Sequence, residues 1–543
     1  MKRTLSLIFT LLTLFCYGQS WTWAKSSHGT GSGDEGWATS VDNHGNVFVT
    51  GFFSSSTISF GTYTLTNSGS VDIFLVKYDA NGNVLWAKGA GGTNLDYSYS
   101  VCTDTLGNAF ITGVFSTTIT FGTYTITGGG IFITKYDPNG NVIWVKYNTG
   151  NGSAVGNAIT SDIKGNVYIT GTFSGSNLIF GTTTLTNPCY PLSTLFITKL
   201  DSNGNLLWAK NPSKGACSGN SIAVDKTGNA FITGSTSFGD SLLFDTCVIT
   251  FASGTQNTFL AKYNSGGMAV WVKNSVGASC VGNSVSADPN GNALVTGYFS
   301  NAAVSFGTYT LSSTGSHNPF TTKYDSVGNV LWARTAVSSG GNDQAYSISV
   351  DKYGYSFVTG GFSYASTITF GSYTLSQSNA ATDPMFLVNY DPNGNVVYAT
   401  SLSSGGDDKC GLFTDTNCNT YIAGDFQALN FAVGTTTLVL STTGGEDVFV
   451  AKLSYNCQLE DIIQTENINS SIYPNPTNGS FNLKTTVEGC QIIIFNLTGQ
   501  TIHSQILFLG LNNIEMYGLP AGLYNYQLLQ NGRNVGVGKV VVK

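Results

Sequence analysis

The chain has 543 residues, of which 10% are charged and 41% are hydrophobic, and its formal net charge is −7. So few charges exclude disorder driven by charge, and a negative balance argues against nucleic acid or anionic lipid as a partner. The polar remainder is rich in Ser, Thr, Asn and Gly, residues typical of turns and solvated strands, so the composition predicts an all-β protein.

Residues 1–19 have the pattern of a secretory signal peptide. Lys2 and Arg3 precede an apolar run from Leu5 to Phe15, and small or polar residues follow it. We therefore expect the mature chain to start near Gln19. No later apolar run reaches the ~18–20 residues that a membrane-spanning helix needs, so no transmembrane segment is expected.

Residues 20–454 contain seven copies of a unit of about 63 residues. A Thr-Gly pair follows a hydrophobic strand in six copies, and Ala423-Gly424 takes its place in the seventh. A second motif, F-x-x-K, also occurs seven times, with Asn389 in place of Lys in the sixth copy. Each copy is predicted to form a hairpin, a short excursion and a second hairpin. The threonines are Thr50, Thr112, Thr170, Thr233, Thr296 and Thr359.

The position of a third motif, W-A-K, predicts how the copies are arranged. It begins at Trp23, before every other element of the first copy, and does not recur after Lys452. Units of this size with four strands are typical of propeller blades, whereas an open β-solenoid or a string of sandwiches is the alternative. In a closed ring the strand Trp21–Lys25 completes the last blade, which an open array does not require. We therefore predict a seven-bladed β-propeller closed by an N-terminal strand.

The repeats resemble the SBBP family, a β-propeller repeat of secreted bacterial proteins. The shared motifs are D-x-x-G-N-x-F-V-T-G, F-x-x-K-Y-D and G-N-V-L-W-A-K, and they span roughly Trp21 to Leu453. The resemblance implies a seven-bladed propeller and carries no activity over. Tyr355 replaces the turn Asn in copy six and Cys418 replaces the turn Gly in copy seven, so we expect distorted turns there.

Residues 472–543 are predicted to form a small immunoglobulin-like β-sandwich after a polar linker at 455–471. This segment resembles the C-terminal type A sorting domain of the type IX secretion system of Bacteroidota. The resemblance implies passage through the periplasm and the outer membrane by that machinery, removal of the domain, and release or attachment at the cell surface. The matching positions are Pro474, Asn475, Pro476, Gly479, Gly499, Gly522, Tyr524 and Lys539.

Motifs for catalysis are missing from the sequence. The four histidines are isolated, and H-E-x-x-H, C-x-x-C and G-x-S-x-G do not occur. No catalytic residue and no cofactor is therefore assigned, and the export signals favour a binding or adhesion module for polysaccharide or a surface protein. A polysaccharide lyase or glycoside hydrolase on the same scaffold, and a purely structural surface component, are the alternatives.

Two recurring residues are interpreted as structural. The Asp before each G-N turn, from Asp42 in the first copy to Asp415 in the seventh, is expected to accept hydrogen bonds from the amides of its own turn. The Lys of F-x-x-K and of W-A-K is expected to place its stem along its strand next to Trp or Tyr, with a weak cation–π contact.

The position eight residues before each G-N Asp holds the candidate ligands. Four of the seven residues at this position are aspartates. They fall in copies six, seven, one and two, which form one continuous arc in a closed ring. If the following strand is the innermost one, they surround the mouth of a central channel and either cap loop amides or share a cation such as Ca²⁺. At this position Cys217 and Cys280 occupy adjacent blades, and they form a disulfide if their Cα atoms lie within about 7 Å. The four aspartates are Asp34, Asp96, Asp343 and Asp407.

Overall fold

Regular structure in the described part of this chain is β-strand throughout. The computed structural model describes residues 19–543 except 32, 252–253, 314, 340, 364–365, 377–383, 403–409, 443–444, 455–471, 486–488, 497–500 and 531–532. Almost all of the predicted signal peptide therefore lies outside the described residues. Within these ranges no helix has the length and apolarity that a bilayer crossing requires. The chain divides into two compact units, Met1–Tyr455 and Asn456–Lys543.

The described part of the first unit contains seven large antiparallel sheets, one for each sequence repeat and each built on a path of four strands, together with five smaller sheets. We number the sheets 1 to 7 by repeat and their strands first to fourth along that path. The strands are, in sheet 1, Asp34–Val41, Val47–Phe53, Asp72–Tyr78 and Val84–Ala90; in sheet 2, Asp96–Thr103, Ala109–Phe115, Gly130–Tyr136 and Val142–Tyr147; in sheet 3, Ala154–Ser161, Val167–Phe173, Thr194–Leu200 and Leu206–Lys210; in sheet 4, Lys214–Val224, Ala230–Phe244, Thr258–Tyr263 and Ala269–Asn274; in sheet 5, Val276–Ala287, Ala293–Phe306, His317–Tyr324 and Val330–Thr335; in sheet 6, Gln344–Val350, Ser356–Gly361, Met385–Tyr390 and Val396–Leu402; and in sheet 7, Gly411–Thr414, Thr420–Phe426, Asp447–Ser454 and Ser20–Ser26.

Between its second and third strands each repeat makes the predicted excursion as a short outer hairpin. In sheets 4 and 5 the second strand itself continues into this hairpin and pairs with Cys247–Thr250 or Tyr309–Leu311. The separate hairpins are Thr57–Phe60 with Tyr63–Thr66, Thr118–Phe121 with Tyr124–Thr127, Asn177–Phe180 with Thr183–Thr186, Thr367–Phe370 with Tyr373–Ser376, and Asn430–Val433 with Thr436–Val439. Three of them gain a further short strand, namely His28–Gly29, Thr149–Asn151 or Val337–Ser338.

The fourth strand of sheet 7 comes from the opposite end of the chain. Ser20–Ser26 pairs antiparallel with Asp447–Ser454, with Ser20 opposite Ser454 and Ser26 opposite Phe449. This is the pairing that the offset of the W-A-K motif predicts. Main-chain hydrogen bonds thus join the first and last repeats and cover the edge of the third strand.

Apolar side chains pack successive sheets against each other from sheet 1 to sheet 6, and hydrogen bonds such as Leu412 N to Ser347 Oγ join sheets 6 and 7. One cluster joins sheets 1 and 2 through residues such as Phe48 and Phe132, and similar clusters join each later pair up to sheets 5 and 6. The cluster that includes Val47 and Tyr421 joins sheet 7 to sheet 1, so the succession of contacts returns to its start. Burial of apolar surface at these interfaces is the main stabilising contribution.

The Thr-Gly motif lies on the second strand and fixes how the first three strands pack. Thr50 Oγ1 donates to Phe74 O at 2.7 Å, and the equivalent bond recurs in sheets 2 to 5. Gly51 lies opposite a bulge in the first strand. A Cβ at Gly51 would lie 1.9 Å from Glu35 O, so this position requires glycine.

A buried lysine on the third strand ties a sheet to the next one. Lys77 Nζ lies 3.7 Å from Asp42 Oδ2 of its own sheet, donates to Pro138 O of sheet 2 at 3.1 Å, and lies 4.9 Å from the centroid of the Phe48 ring. Trp86 Nε1 donates to the same Pro138 carbonyl. The expected cation–π contact is found, but the ring is Phe in sheets 1, 2 and 4 and Tyr only in sheets 3 and 7. A bond to the next sheet adds to it. The lysines at this position are Lys77, Lys135, Lys199, Lys262 and Lys323, which are buried, and Lys452, which is half-buried.

The Asp before each G-N turn accepts the amides of its own turn, as predicted. Asp42 Oδ1 accepts from the N–H groups of His44 and Asn46, and Asp42 Oδ2 accepts from Asn46 Nδ2. The turns that contain Tyr355 and Cys418 keep the same main-chain hydrogen bonds, with Cys418 at a φ of 64°. The distortion expected in copies six and seven is therefore not found.

The second unit contains two antiparallel sheets with one shared core. Phe481 and Leu483 of one sheet pack with Ile492, Ile494 and Leu528 of the other. The first sheet consists of Ile472–Tyr473, Ser480–Thr485 and Gly510–Glu515, and the second of Thr501–Ile506, Cys490–Phe495, Gly522–Gln530 and Arg533–Val542.

Deleting Trp21–Lys25 is expected to lower the melting temperature by roughly 10 °C or more, or to prevent folding, because the strand Asp447–Ser454 loses its partner. Differential scanning calorimetry measures this. The matched control is Thr22→Ala, which removes only an exposed side chain of the same strand and is expected to shift the melting temperature by less than about 1 °C. An unchanged melting temperature in the deletion variant would contradict the closing role of this strand.

Lys135→Ala is expected to cost about 3–5 kcal/mol of stability, because it leaves a buried carboxylate without its cation. Asp104, whose Oδ2 lies 3.7 Å from Lys135 Nζ, is 5% exposed. Lys226→Ala, on an exposed turn, is the control and should change stability by less than about 0.5 kcal/mol. Adding Asp104→Asn to the Lys135 variant should recover part of the loss. Equal denaturation midpoints for the two lysine variants would show that the buried pair is dispensable.

Candidate functional site

The first strands of all seven sheets line one cavity of about 740 Å³. Its walls run from Trp37–Ser40 of sheet 1 round to Gly411–Phe413 of sheet 7, and Tyr298 of sheet 5 adds a side chain from a second strand. The strand after each loop is thus the innermost one of its sheet. We call this cavity the central channel.

One position lines the central channel in every sheet. It lies five residues before the G-N Asp and, in sheets 1 to 6, falls where the first strand bulges. Sheets 3, 4 and 5 place Asn there, whereas the arc of sheets 6, 7, 1 and 2 places aromatic rings and one Cys. The residues in sheet order are Trp37, Tyr99, Asn157, Asn220, Asn283, Tyr346 and Cys410.

The three asparagines connect neighbouring first strands. Each Nδ2 donates to a main-chain carbonyl of the next sheet, and the amide oxygen takes no part in that bond. A serine beside this position also bonds to the next sheet, but as an acceptor. Ser221 Oγ accepts from Val285 N at 3.1 Å. One wall of the channel is therefore polar and held in place. The amide bonds are Asn157 to Gly219 at 2.8 Å, Asn220 to Gly282 at 2.9 Å and Asn283 to Ala345 at 2.8 Å.

The facing arc carries a cluster of aromatic rings. Trp37 stacks on Tyr99 with ring centroids 4.5 Å apart, and Tyr99 stacks on Tyr97 at 6.0 Å. Phe52 meets the edges of Trp37 and Tyr97, and Trp37 Nε1 donates to Glu35 Oε2 at 2.6 Å. Burial raises the pKa of Tyr99 to about 12, so its hydroxyl stays protonated at neutral pH. We call the half-buried rings of Trp37, Tyr97 and Tyr99 the aromatic platform.

The predicted channel-mouth aspartates do not line the central channel. Asp34 is fully buried, and its Oδ1 accepts from the N–H groups of Ser54 and Ser55 while its Oδ2 accepts from Ser55 Oγ at 2.6 Å. Burial raises the pKa of Asp34 to about 6, and the charge of Asp447 on the preceding sheet adds to this. Its geometry is that of a loop cap.

The other described aspartates of the arc have the same role. Asp96 Oδ1 accepts from Ser116 N at 3.2 Å, and Asp343 Oδ1 accepts from Ser363 N at 2.9 Å. Burial raises the pKa of Asp96 to about 6, with a smaller contribution from the charge of Asp72. Asp407 lies outside the described residues. In the described part of the chain, no three His, Cys, Asp or Glu side chains are grouped as a metal site.

Cys217 and Cys280 are both free thiols, so the structure does not join them in a disulfide. Cys280 Sγ accepts from Thr258 Oγ1 at 3.2 Å, and Cys217 lies 3.9 Å from Thr194 Oγ1. Each cysteine thus faces the third strand of the preceding sheet, as Asp34 and Asp96 do, and the two cysteines occupy separate interfaces.

The structure brings together parts of the predicted sorting motif. Asn475 Nδ2 donates to Lys539 O at 2.9 Å, and Asn475 Oδ1 accepts from Val541 N at 2.9 Å. Tyr524 Oη donates to Pro520 O, which fixes the G-x-Y element locally. The opening motif is therefore held against the last strand. Pro474 and Pro476 flank Asn475, Gly479 has a φ of 125°, Gly522 begins its strand, and Gly499 lies outside the described residues.

Relatives of known sequence or structure are distant. The chain is 24% identical to the uncharacterized WD repeat-containing protein L264 of Acanthamoeba polyphaga mimivirus, over 72% of this chain and 35% of that protein. It thus spans about a third of the length of this curated relative.

Three solved structures also show similarity. PorZ, a surface component of the type IX secretion system of Porphyromonas gingivalis, is 10% identical with a TM-score of 0.16, over 94% of this chain and 81% of that one. A DUF4221 family member from Bacteroides vulgatus is 10% identical with a TM-score of 0.30, over 80% and 98%. The biofilm matrix protein Bap1 of V. cholerae is 11% identical with a TM-score of 0.20, over 81% and 91%.

Asp34→Asn is expected to gain stability relative to the unmodified protein as the pH rises. The pKa of Asp34 is about 6 in the fold against an ordinary value of 3.8, so the folded state retains a proton that the unfolded state releases. The contribution of this group to the free energy of unfolding therefore falls as the pH rises from about 4 to about 6. The variant keeps an acceptor oxygen but cannot ionise, so its advantage should grow by on the order of 1 kcal/mol between about pH 5 and pH 8.

Melting temperatures at the two pH values measure this difference. Asp79→Asn is the control, because hydrogen bonds from its turn lower the pKa of Asp79 and its effect should be constant over this range. A pH-independent difference between the Asp34 variant and the unmodified protein would contradict the raised pKa.

Family models match both units of the chain. Residues 212–240, which span the first strand of sheet 4 and most of the second, match the SBBP β-propeller repeat. Residues 471–543, which contain every described strand of the second unit, match the secretion system C-terminal sorting domain. The chain therefore carries an SBBP β-propeller repeat at 212–240 and a type IX secretion system C-terminal sorting domain at 471–543, and it is secreted or displayed at the outer-membrane surface.

Proposed function

We propose that the seven sheets are the blades of a seven-bladed propeller over residues 20–454. The proposal is supported by seven four-stranded sheets in sequence order and by the contacts that return from sheet 7 to sheet 1. Residues 472–543 are proposed as an immunoglobulin-like sandwich, on the basis of two sheets with one core. Residues 1–19 are proposed as a signal peptide and 455–471 as a linker.

We further propose that the exported propeller is a binding or adhesion module that holds a polysaccharide in its central channel. The aromatic platform opposite the asparagine wall is the observation that carries this proposal. Sugar rings present C–H faces that stack on aromatic rings and hydroxyls that hydrogen-bond to amides. A volume of about 740 Å³ lies within the ~300–1,000 Å³ range of ligand cavities.

A protein ligand is less well supported, because a concave channel admits a sugar chain more readily than a folded surface. Nor does a specific observation favour a lyase or glycoside hydrolase. Within the described residues the channel walls contain no carboxylate, and Glu35 beside them accepts the indole N–H of Trp37. If the protein is a purely structural surface component, the glycan array described next will show no binding.

Binding of the mature chain on a glycan array, followed by calorimetric titration of the best glycan, tests the proposal. Trp37→Ala and Tyr99→Ala are each expected to weaken binding at least about tenfold, because they remove rings of the platform. The control is Tyr147→Ala, which removes a partly exposed ring at the end of the fourth strand of sheet 2 and should leave affinity unchanged. An empty array, or a bound glycan whose affinity ignores the Trp37 substitution, would refute the channel as the site.

A further inference from the structure

The turns between the first and second strands adjoin one another around one end of the central channel. A Cβ built at Gly107 of sheet 2 would lie 3.4 Å from Asp42 Oδ2 of sheet 1, and one at Gly165 of sheet 3 would lie 3.8 Å from Asp104 Oδ2 of sheet 2. Sheets 4 and 5 repeat this contact. We call the two residues that follow the G-N Asp in each turn the tip ring. Its members are Asn43, His44, Thr105, Leu106, Ile163, Lys164, Lys226, Thr227, Pro289, Asn290, Lys352, Tyr353, Thr416 and Asn417.

The tip ring is level, because the seven turns have the same length and the same main-chain hydrogen bonds. In sheet 1 Asp42 N donates to Asn46 O at 3.0 Å, and Gly45 N donates to Asp42 O at 2.9 Å. The equivalent bonds are present in the other six turns. Every residue of the tip ring is exposed. The ring therefore presents a flat surface at the end of the channel where the first strands finish.

The formal charges of the tip ring are all positive. It contains Lys164, Lys226 and Lys352 and no Asp or Glu. The G-N aspartates beneath it in sheets 1, 2, 3 and 5 lie 3.0 to 3.8 Å from their own buried lysines, so they do not cancel these charges. In sheet 6, which lacks that lysine, the charge of Lys352 acts on the carboxylate of Asp351. The surface is therefore basic, most clearly in sheets 3 and 4.

Exposed apolar side chains lie among these lysines. Leu106 is 74% exposed, and Ile163 on the adjacent turn is 68% exposed, the two highest values among the large hydrophobic residues described in the first unit. Tyr353 is also exposed, and Lys352 Nζ lies 5.0 Å from the centroid of its ring. The turn itself does not require apolar residues, because Asn, Thr and Pro occupy the same positions in other sheets.

The turns between the third and fourth strands lie at the same end, because neighbouring strands of each sheet are antiparallel. They add Met268 and Val327, which are 64% and 65% exposed. The aspartates of these outer turns have a cation nearby. A Cβ built at Gly140, in the turn of Asp137, would lie 2.7 Å from Lys88 Cε of the preceding sheet. The outer turns thus widen the apolar surface and add little net charge.

Acidic side chains lie at the opposite end of the first strands. Asp34 and Asp96 begin their strands, and Asp343 directly precedes one. A first strand such as Asp34–Val41 extends over roughly 25 Å, and charges more than about 8 Å apart are screened at physiological ionic strength. The net charge of −7 therefore does not prevent the tip ring from attracting an anionic surface.

We propose that the tip ring is a docking surface for a lipid bilayer with anionic phosphate headgroups. Lys164, Lys226 and Lys352 contact the phosphates, while Leu106 and Ile163 insert below them. A flat surface that combines basic and apolar side chains fits a membrane interface, where both contributions add. A soluble anionic polymer would use the lysines but leave Leu106 and Ile163 in water. The chain is secreted or displayed at the outer-membrane surface, where a bilayer is within reach.

Co-sedimentation of the mature chain with vesicles of phosphatidylcholine, with and without phosphatidylglycerol, tests this proposal. Binding is expected only with phosphatidylglycerol and should fall as salt is added. Lys226→Ala should weaken it about fivefold. Lys214→Ala makes the same charge change at the opposite end of the first strand of sheet 4 and should leave binding unchanged.

The apolar contribution is tested separately with Ile163→Asp, which should weaken vesicle binding at least about tenfold. Val276→Asp is the matched control, because Val276 is 63% exposed and begins its first strand, at the end away from the tip ring. It should leave binding unchanged. All four variants alter exposed side chains, so unchanged melting temperatures should show that each one folds.

Equal sedimentation with both kinds of vesicle, or none with either, would overturn the proposal. Equal losses in the Lys226 and Lys214 variants would show that total charge is responsible and not the tip ring. Binding that persists undiminished in the Ile163 variant would place the membrane contact elsewhere, for example at Phe508 of the second unit, which is 76% exposed. Binding to soluble dextran sulfate without binding to vesicles would identify an anionic polymer as the partner and refute the bilayer.

Discussion

Five interfaces between successive sheets, from sheets 1 and 2 to sheets 5 and 6, are built around a buried ammonium group. Lys77 can be buried only because Asp42 compensates its charge and Pro138 of the next sheet accepts its hydrogen bond. The pair therefore constrains both the register within a sheet and the rotation of one sheet against the next. Because Trp86 donates to the same carbonyl, one outer turn satisfies two donors. The recurrence of the motifs at fixed spacing follows from this shared geometry.

With the sheets fixed in this way, the channel wall is free to vary in composition. The bulge position accommodates Trp37, Asn157 and Tyr346 alike, because main-chain hydrogen bonds on either side of the bulge hold the strand whichever side chain is present. Serine hydroxyls add bonds between neighbouring first strands without using that position. A framework that is the same in every sheet, combined with an inner position that varies from sheet to sheet, is an arrangement that rigid recognition sites use.

Local spacing allowed much of the fold to be predicted, whereas side-chain direction did not follow from it. The number of repeats, the turn role of Asp42 and the pairing of Ser20–Ser26 depend on motif order alone. The position of Asp34 depends on the bulge at Trp37, which shifts the alternation of the strand, so that Asp34 faces the preceding sheet and not the channel. A column of aromatic residues and asparagines five residues before the G-N Asp was the available signal for the channel.

The strand at Ser20–Ser26 has a consequence for incomplete chains. Thr22 Oγ1 donates to Lys452 O across 430 residues, so a segment that precedes the first repeat pairs with the end of the last repeat. A product truncated before Asp447 would leave this strand without a partner and sheet 7 without its third strand. Such open edges invite strand exchange with another copy of the chain. A complete last repeat is thus a condition for covering these edges, independently of any ligand.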